Sequence, residues 1–198
     1  QDLSLYFAGE AEQQAETQSS MQCVFILALL SIFALLAIPL KSYVQPLIIM
    51  TAIPFVIGGA ISGHWSNGLM ISLLSLNGIL ALSGVVVNDS LLLVSRFNAL
   101  REEGVPVETA VIEACTSRLR AVLLTSITTF VGLYPILGET SVQAQFLIPA
   151  AASLGYGILF ATVITLLLIP ALLLIYDDVS RLMAKHLVKP LTESTAND

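Results

Sequence analysis

One acidic side chain lies inside a long apolar segment of this sequence: Asp89, in GVVVNDSLLLV. A charged group near the middle of a bilayer costs about 2.5–3.5 kcal/mol on insertion scales, so an acidic residue there is a candidate for function. Arg96 marks the polar end of the segment, and helical rise places Asp89 roughly 10 Å inside that end. Two arrangements are open: a buried, hydrogen-bonded carboxyl, or an interfacial ion pair with Arg96 that contributes little.

Asn88 belongs to a different helical face from Asp89. Asn77, Gly84 and Asn88 are separated by seven and four residues, so they share one face of a helix, and Asp89 falls about 100° away from it. In the next apolar segment Thr125 lies at a comparable depth, roughly 7.5 Å inside the basic end of that segment. We therefore expect Asn88 and Thr125 to meet in the folded protein.

Thr128, Thr129 and Gly132 continue the group of small and polar residues along the segment that holds Thr125. Small and hydroxylated residues let membrane helices approach closely, so helix packing is the simpler interpretation of these three residues and of Asn77 and Gly84. The sequence therefore predicts two sets: a packing stripe, and the candidate chemical residues Asn88, Asp89 and Thr125.

The remaining reactive residues exclude several kinds of catalysis. No second carboxyl occurs inside an apolar segment, so an intramembrane aspartyl dyad is not formed within this chain. His64 and His186 fall in polar segments on opposite sides of the membrane, which excludes a serine–histidine pair within it. Cys23 and Cys115 lack metal-ligand spacing, and no glycine-rich phosphate loop is present. The sequence predicts no enzyme activity, no cofactor and no metal site.

The elements that must position these residues are membrane helices. Hydrophobic residues make up 56% of the 198-residue chain and charged residues 11%, against roughly 25% charged in soluble domains. The formal net charge of −6 excludes the basic surface typical of nucleic-acid binding. Four uncharged runs are long enough to span a bilayer, and the longest, 42–88, holds two spans because the turn-forming residues 63–68 divide it. The sequence predicts an all-α membrane protein with five transmembrane helices, near residues 21–39, 44–62, 71–97, 121–137 and 146–175.

The basic residues predict the orientation of the chain. All eight fall in the segments that follow spans one, three and five. Because Lys and Arg are retained on the cytoplasmic side, the amino terminus is predicted outside and the carboxyl terminus inside, with residues 176–198 as a cytoplasmic tail. Between spans three and four, Val107, Val111 and Ala114 share one face, which predicts a short interfacial cytoplasmic helix at about 105–117.

Several stretches of the chain resemble the resistance-nodulation-division (RND) transporters, and most of all their hydrophobe/amphiphile multidrug efflux branch. The likeness runs in order from about residue 9 to residue 176, in GEAEQQAE, KSYVQPLIIMTAIPFVIGGA, GVVVNDSLLLVSRFNALREEG, RLRAVLLTSITTFVGLYP and IPALL. It implies that the five spans correspond to helices eight to twelve of twelve, and that residues 1–20 end the second periplasmic porter region.

The resemblance also implies a mechanism, that of a proton-driven antiporter of the bacterial inner membrane. The family's proton relay joins acidic residues of helix four to a position in helix ten, often Lys, and to a Thr in helix eleven. The matching positions here are Asn88 and Thr125, with Asn88 in place of the Lys. The acidic partners belong to the first half of the transporter, and Asp89 would add a titrating group beside the relay.

The implied partners are the lipid bilayer, the first transmembrane half and the porter regions of the transporter. The resemblance further implies a homotrimer that works with a periplasmic adaptor and an outer-membrane channel, and no nucleic acid. The membrane portion by itself is expected to be inactive, because alternating access needs both repeats around the site. Two alternatives stay open: an RND relative that moves lipid, metal or protein cargo, and a helical membrane scaffold that transports nothing.

Overall fold

The computed structural model describes the backbone of residues 2–194 and the side chains of residues 16–183, and this part of the chain consists of helices joined by short turns and loops. The fold is therefore all-α, as the sequence predicts. Six helices follow one another along the chain: α1 Asp2–Leu40, α2 Val44–Met50, α3 Ala52–Ser66, α4 Leu73–Glu102, α5 Val107–Leu137 and α6 Val142–Ser194.

Within residues 16–183, five segments are long and apolar enough to cross a membrane, which confirms the predicted number of spans. The second of these segments is formed by α2 and α3 together. Four of the segments contain the span that hydropathy predicts, whereas the third begins at Leu73 instead of residue 71. The largest extension is at the start of the fourth segment, which begins at Val107 instead of residue 121. The five segments are Glu16–Leu40, Val44–Ser66, Leu73–Glu102, Val107–Leu137 and Val142–Met183.

The division of the second span into α2 and α3 follows from Pro54. The proline ring displaces the carbonyl group four residues earlier, that of Met50, and proline has no backbone N–H to donate. The structure accordingly ends α2 at Met50 and starts α3 at Ala52, with Thr51 between them. The Thr51 hydroxyl donates to the Ile48 carbonyl at 2.6 Å, which stabilises the end of α2.

The structure replaces the predicted interfacial helix and the predicted fourth span with the single helix α5. No Gly or Pro occurs between 107 and 131, and Arg and Leu at 118–120 are good helix formers, so nothing in the sequence ends a helix there. The apolar face that includes Val107, Val111 and Ala114 is buried in the main hydrophobic core. This face packs within the bundle and is not a lipid-facing surface.

α6 likewise continues past the predicted end of span five at residue 175 and runs to Ser194. Asp177 stabilises this extension through ion pairs with one Arg of α6 and one Arg of α4. It accepts from Arg181 one turn later at 2.6 Å, and its other carboxylate oxygen lies 3.8 Å from Arg101 of α4. The predicted tail at 176–198 is therefore helical over most of its length.

α6 is the central helix, because α3, α4 and α5 all pack against it. Glycines permit the close approach. A Cβ atom at Gly59 of α3 would lie 2.6 Å from Phe160, and one at Gly78 of α4 would lie 2.8 Å from the Ala150 carbonyl. Gly157 of α6 in turn accommodates the Leu82 side chain. Because Gly63 of α3 faces Tyr156, four residues before the Phe160 that Gly59 faces, α3 runs antiparallel to α6, whereas the contacts of Gly78 and Leu82 show that α4 runs parallel to it.

The sequence predicts His64 in a polar turn, and this prediction is wrong. His64 lies in the last turn of α3 with 2% of its surface exposed. Its Nδ1 lies 2.9 Å from the Ala60 carbonyl and its Nε2 lies 2.7 Å from the Ser75 hydroxyl of α4. Because a carbonyl only accepts, Nδ1 must carry the proton, and in the neutral ring the Ser75 hydroxyl donates to Nε2. Satisfied on both nitrogens, His64 remains helical, and the turn shortens to the residues around Gly68, whose φ is 64°.

Candidate functional site

A groove of about 630 Å³ lies between α4 and α5, on the side of these helices that faces away from α6. Its walls are mostly apolar, with four polar side chains among them: Asn88 and Asp89 from α4, and Arg118 and Thr125 from α5. Small residues leave the space open. The remaining lining residues are Ala81, Gly84, Val85, Leu92, Ala121 and Val122.

One side of α4 lines the groove and the opposite side is buried in the bundle. Gly84 and Asn88 are one turn apart and exposed towards the groove, and Asp89 beside them is half-buried. Ser83 and Ser90 lie on the opposite side, where both are buried. Asn88 and Asp89 point about 100° apart around α4, as the sequence predicts, but the groove is wide enough to include both side chains.

α5 supplies the second wall through residues spaced by three and four. Arg118, Ala121 and Thr125 follow one another along this face. The Thr125 hydroxyl donates to the Ala121 carbonyl at 2.9 Å, so its proton is used within the helix while its oxygen can still accept a hydrogen bond. Asn88 and Thr125 line one groove, as their matched depths predict.

Arg96 does not pair with Asp89. Its Nη2 donates to Glu113 of α5 at 3.0 Å, and none of the ion pairs among the described side chains includes Asp89. Arg118 is the basic residue that shares the groove with Asp89, at a separation beyond the 4.0 Å of an ion pair. Of the two arrangements left open for Asp89, the interfacial pair with Arg96 is therefore not formed.

Arg118 lines the groove but is not among the site residues that the sequence predicts. The predicted break between an interfacial helix and span four placed this residue in a connection. On a continuous helix, Arg118 lies seven residues before Thr125 and therefore on the same face, two turns away. The signal that could have found it was the lack of any helix-ending residue between 107 and 131.

The predicted packing stripe has little role in packing within this chain. Asn77, Gly84, Thr128 and Gly132 are exposed, and a Cβ added at Gly84 or Gly132 would meet no other atom within 4 Å. Asn77 lines a separate apolar groove of about 630 Å³ between α1, α3 and α4. The half-buried Thr129 donates to the Thr125 carbonyl at 2.8 Å. The helices pack instead through Gly59, Gly63, Gly78 and Gly157.

A polar contact with α6 lies on the side of α5 that faces away from the groove. Ser126, next to Thr125, is buried and pairs its hydroxyl with that of Thr162 on α6. Each of the two hydroxyls also lies within hydrogen-bond distance of a carbonyl one turn earlier, that of Val122 at 2.8 Å and that of Ile158 at 2.7 Å. The contact joins α5 directly to α6 at the residue next to Thr125.

Among residues 16–183, no three His, Cys, Asp or Glu side chains come together as metal ligands do. What the α4–α5 groove offers is an amide, a carboxyl, a guanidinium and a hydroxyl oxygen. Such a set can exchange hydrogen bonds and stabilise a change of charge inside a membrane segment. The groove opens on a surface that the described residues of this chain do not cover.

The profile of one transporter family, the AcrB/AcrD/AcrF family, matches residues 1–177. The chain belongs to the AcrB/AcrD/AcrF family. Membership places it in the RND superfamily, whose members are efflux transporters, and agrees with a multi-pass protein of the inner membrane. The match ends within α6, so it includes the first four membrane segments, most of the fifth, and the α4–α5 groove.

The names of similar proteins refer to resistance against different substances, metals in one case and drugs in another. The chain is 34% identical over 166 residues to the cobalt-zinc-cadmium resistance protein CzcA of Cupriavidus metallidurans, which covers 84% of this chain and 16% of CzcA. It is 26% identical over 188 residues to the multidrug resistance protein MdtC of Salmonella schwarzengrund, covering 94% of this chain and 18% of MdtC. The chain thus spans about one sixth of the length of these relatives, and they do not agree on a class of cargo.

A solved structure gives the same fold. The X-ray crystal structure of a heavy metal efflux pump superposes with a TM-score of 0.73 at 27% sequence identity, over 84% of this chain and 16% of the pump chain. The arrangement of the helices around α6 is therefore that of a family member. The expected likeness to the multidrug branch in particular is not confirmed by these comparisons.

Proposed function

We propose that this chain forms membrane helices eight to twelve of a proton-driven RND efflux transporter, and that the α4–α5 groove is its half of the proton relay. The observation that supports this most directly is the convergence of Asn88, Asp89, Arg118 and Thr125 on one groove in the membrane-spanning part. Polar groups in lipid are costly unless they are paired. We therefore expect a helix from the first half of the transporter to cover the groove and to pair with these polar groups.

Each side chain has a part in this proposal. Asn88 and Thr125 exchange hydrogen bonds with carboxyl groups of the first half as those groups bind and release a proton. Arg118 compensates the negative charge when the carboxyl groups are ionised. Asp89 is the one carboxyl that this chain adds, and with no ion-pair partner of its own among the described residues it is free to bind a proton.

The orientation follows from the same proposal. The carboxyl ends of α1, α4 and α6 and the amino end of α5 lie in the cytoplasm, and the turn around Gly68 lies outside. Residues 1–20 then continue into the second periplasmic porter region, and the working unit is a trimer joined to a periplasmic adaptor and an outer-membrane channel. Without the first half and the porter regions this chain transports nothing, because alternating access needs both repeats.

For the cargo, we propose hydrophobic or amphiphilic compounds. The stretch RLRAVLLTS supports this through its likeness to the multidrug branch, as does the alignment with MdtC, which extends over 94% of the chain. Divalent metal cations are a second candidate, supported by the 34% identity to CzcA. The cargo surface itself would lie in porter regions outside this chain.

The experiment is transport by the full-length protein in proteoliposomes with an imposed proton gradient. An amphiphilic dye and a divalent cation, Zn²⁺ or Co²⁺, serve as separate cargo probes, each paired with a pH-sensitive dye. Dye movement coupled to proton movement supports the proposal, and coupled metal movement alone supports the second candidate. Proton movement with neither probe would favour lipid or protein cargo, and no proton movement would favour a scaffold.

A further inference from the structure

Two buried hydroxyl groups in this bundle have no hydrogen-bond partner among the described protein groups: those of Ser90 on α4 and Thr165 on α6. Ser90 is fully buried and Thr165 is 3% exposed. A hydroxyl placed out of water without a hydrogen bond costs about 1–3 kcal/mol. Both groups therefore require a partner that the side chains and backbone around them do not supply.

The other buried hydroxyls of the described bundle show how unusual these two are. Ser83, Ser126, Ser153 and Thr162 each lie within hydrogen-bond distance of the carbonyl four residues earlier, as is normal for hydroxyls in membrane helices. The fifth, Ser75, is bonded to His64. Ser90 and Thr165 make no such bond to the carbonyls of Val86 and Ala161.

The register of α4 and α6 places the two residues at the same level. Gly78 contacts Ser153, and Leu82 contacts Gly157, so matched residues of these parallel helices differ by 75 in number. The same difference pairs Ser90 with Thr165, about 12 Å further along both helices. One turn beyond this level, Val94 and Ile169 differ by the same 75 in number, and both are completely buried in the main hydrophobic core.

We propose that Ser90 and Thr165 bind one buried water molecule between α4 and α6, directly behind Asn88 and Asp89. A buried water typically makes about three hydrogen bonds to polar groups that lack partners. The two hydroxyls supply two of these bonds, and a backbone carbonyl of the preceding turn on either helix can accept the third. One small polar ligand thereby satisfies both groups at once.

This site gives the two walls of the α4–α5 groove different supports. At Thr162, α5 is joined to α6 by a direct contact between hydroxyls. One turn further along α6, at Thr165, α4 is joined to α6 through water. The contact of α4 with α6 is therefore water-mediated at this level, whereas at Gly78 and Leu82 the two helices pack on each other directly.

The test uses the full-length transporter with Ser90→Ala, Thr165→Val and the double variant, and with Ser83→Ala as the matched control. Ser83 is buried on the same side of α4 but donates within its own helix. A density map that shows ordered water should contain a peak between positions 90 and 165 in the unmodified protein and in Ser83→Ala. The peak should be lost in all three variants at the site and retained in Thr165→Ser.

Unfolding temperatures provide the second measurement. Each single variant should lower the apparent Tm, because it leaves the other hydroxyl buried without a partner. The double variant should recover most of that loss, since no unpaired group remains. A native map without the peak, or a double variant that loses the sum of the single shifts, would overturn the proposal. Neither measurement depends on whether Asn88 and Thr125 serve in a proton relay.

Discussion

Arg96 of α4 donates a hydrogen bond to Glu113 of α5, with 3.0 Å between Nη2 and Oε1. Arg96 is the first basic residue after Asp89 on α4, and because it is bonded to Glu113 it does not pair with Asp89. The Asp89 carboxyl lines the α4–α5 groove together with Arg118. The Arg96 and Glu113 side chains are 38% and 49% exposed, and exposed ion pairs contribute about 0–1 kcal/mol. The pair joins two helices without taking part in the chemistry of the groove.

The first prediction separates these two acidic sites in the full-length transporter. Asp89→Asn should lower proton-coupled efflux on the order of 10²-fold, the effect expected when a positioned proton-transfer group is lost. Glu113→Gln and Arg96→Gln should leave the efflux rate near that of the unmodified protein. Efflux and membrane abundance are measured together for all three variants. An Asp89→Asn transporter with normal coupled efflux would show that this carboxyl is dispensable.

The second prediction concerns the hydrogen-bonding residues of the groove. Asn88→Ala and Thr125→Ala should each reduce coupled efflux without lowering membrane abundance, because each removes a group that faces the groove. Thr128→Ala is the matched control, since Thr128 is an exposed hydroxyl on α5 that does not line the groove. If both groove variants export normally at unchanged protein levels, the relay assignment is wrong.

The third prediction compares two glycines of α4. Gly78→Ala places a Cβ 2.8 Å from the Ala150 carbonyl oxygen and 2.9 Å from Ser153 Cβ, so α4 and α6 must separate, at a cost of about 1–3 kcal/mol. Gly84→Ala meets no atom of this chain within 4 Å. The unfolding temperature of the purified transporter should therefore be lowered by the first variant. If only Gly84→Ala lowers it, a helix from elsewhere in the transporter packs on the groove more tightly than α6 packs on α4.

The fourth prediction concerns the sidedness of the helix ends. Single cysteines at Asn67 and Glu139 should react with a membrane-impermeant reagent applied from outside, and cysteines at Lys41 and Glu103 only after the membrane is opened. The background is a variant in which the native Cys23 and Cys115 are replaced. Labelling of Asn67 from the cytoplasmic side alone would contradict the five-span orientation.

The sequence by itself determined the number and position of the membrane segments and the depth of the polar residues within them. Hydropathy is a property of about 20 consecutive residues, and depth follows from counting residues at a fixed helical rise. For this reason Asn88 and Thr125 can be matched across two helices from their residue numbers alone. The helix break near Pro54 has the same local origin, since proline acts on a carbonyl group within its own helix.

Only the tertiary structure decided which face of each helix meets which neighbour. Nothing local distinguishes Gly78, which contacts α6, from Gly84, which faces an open groove, or Ser90 behind Asn88 from the exposed Ser95 on the same helix. His64 has the composition of a turn around it, and partners on α3 and α4 keep it helical and buried. Arg96 has Asp89 nearby in sequence but finds Glu113 on another helix. These choices depend on the packing of α3, α4 and α5 around α6, and a contact between helices is set by residues far apart in the chain.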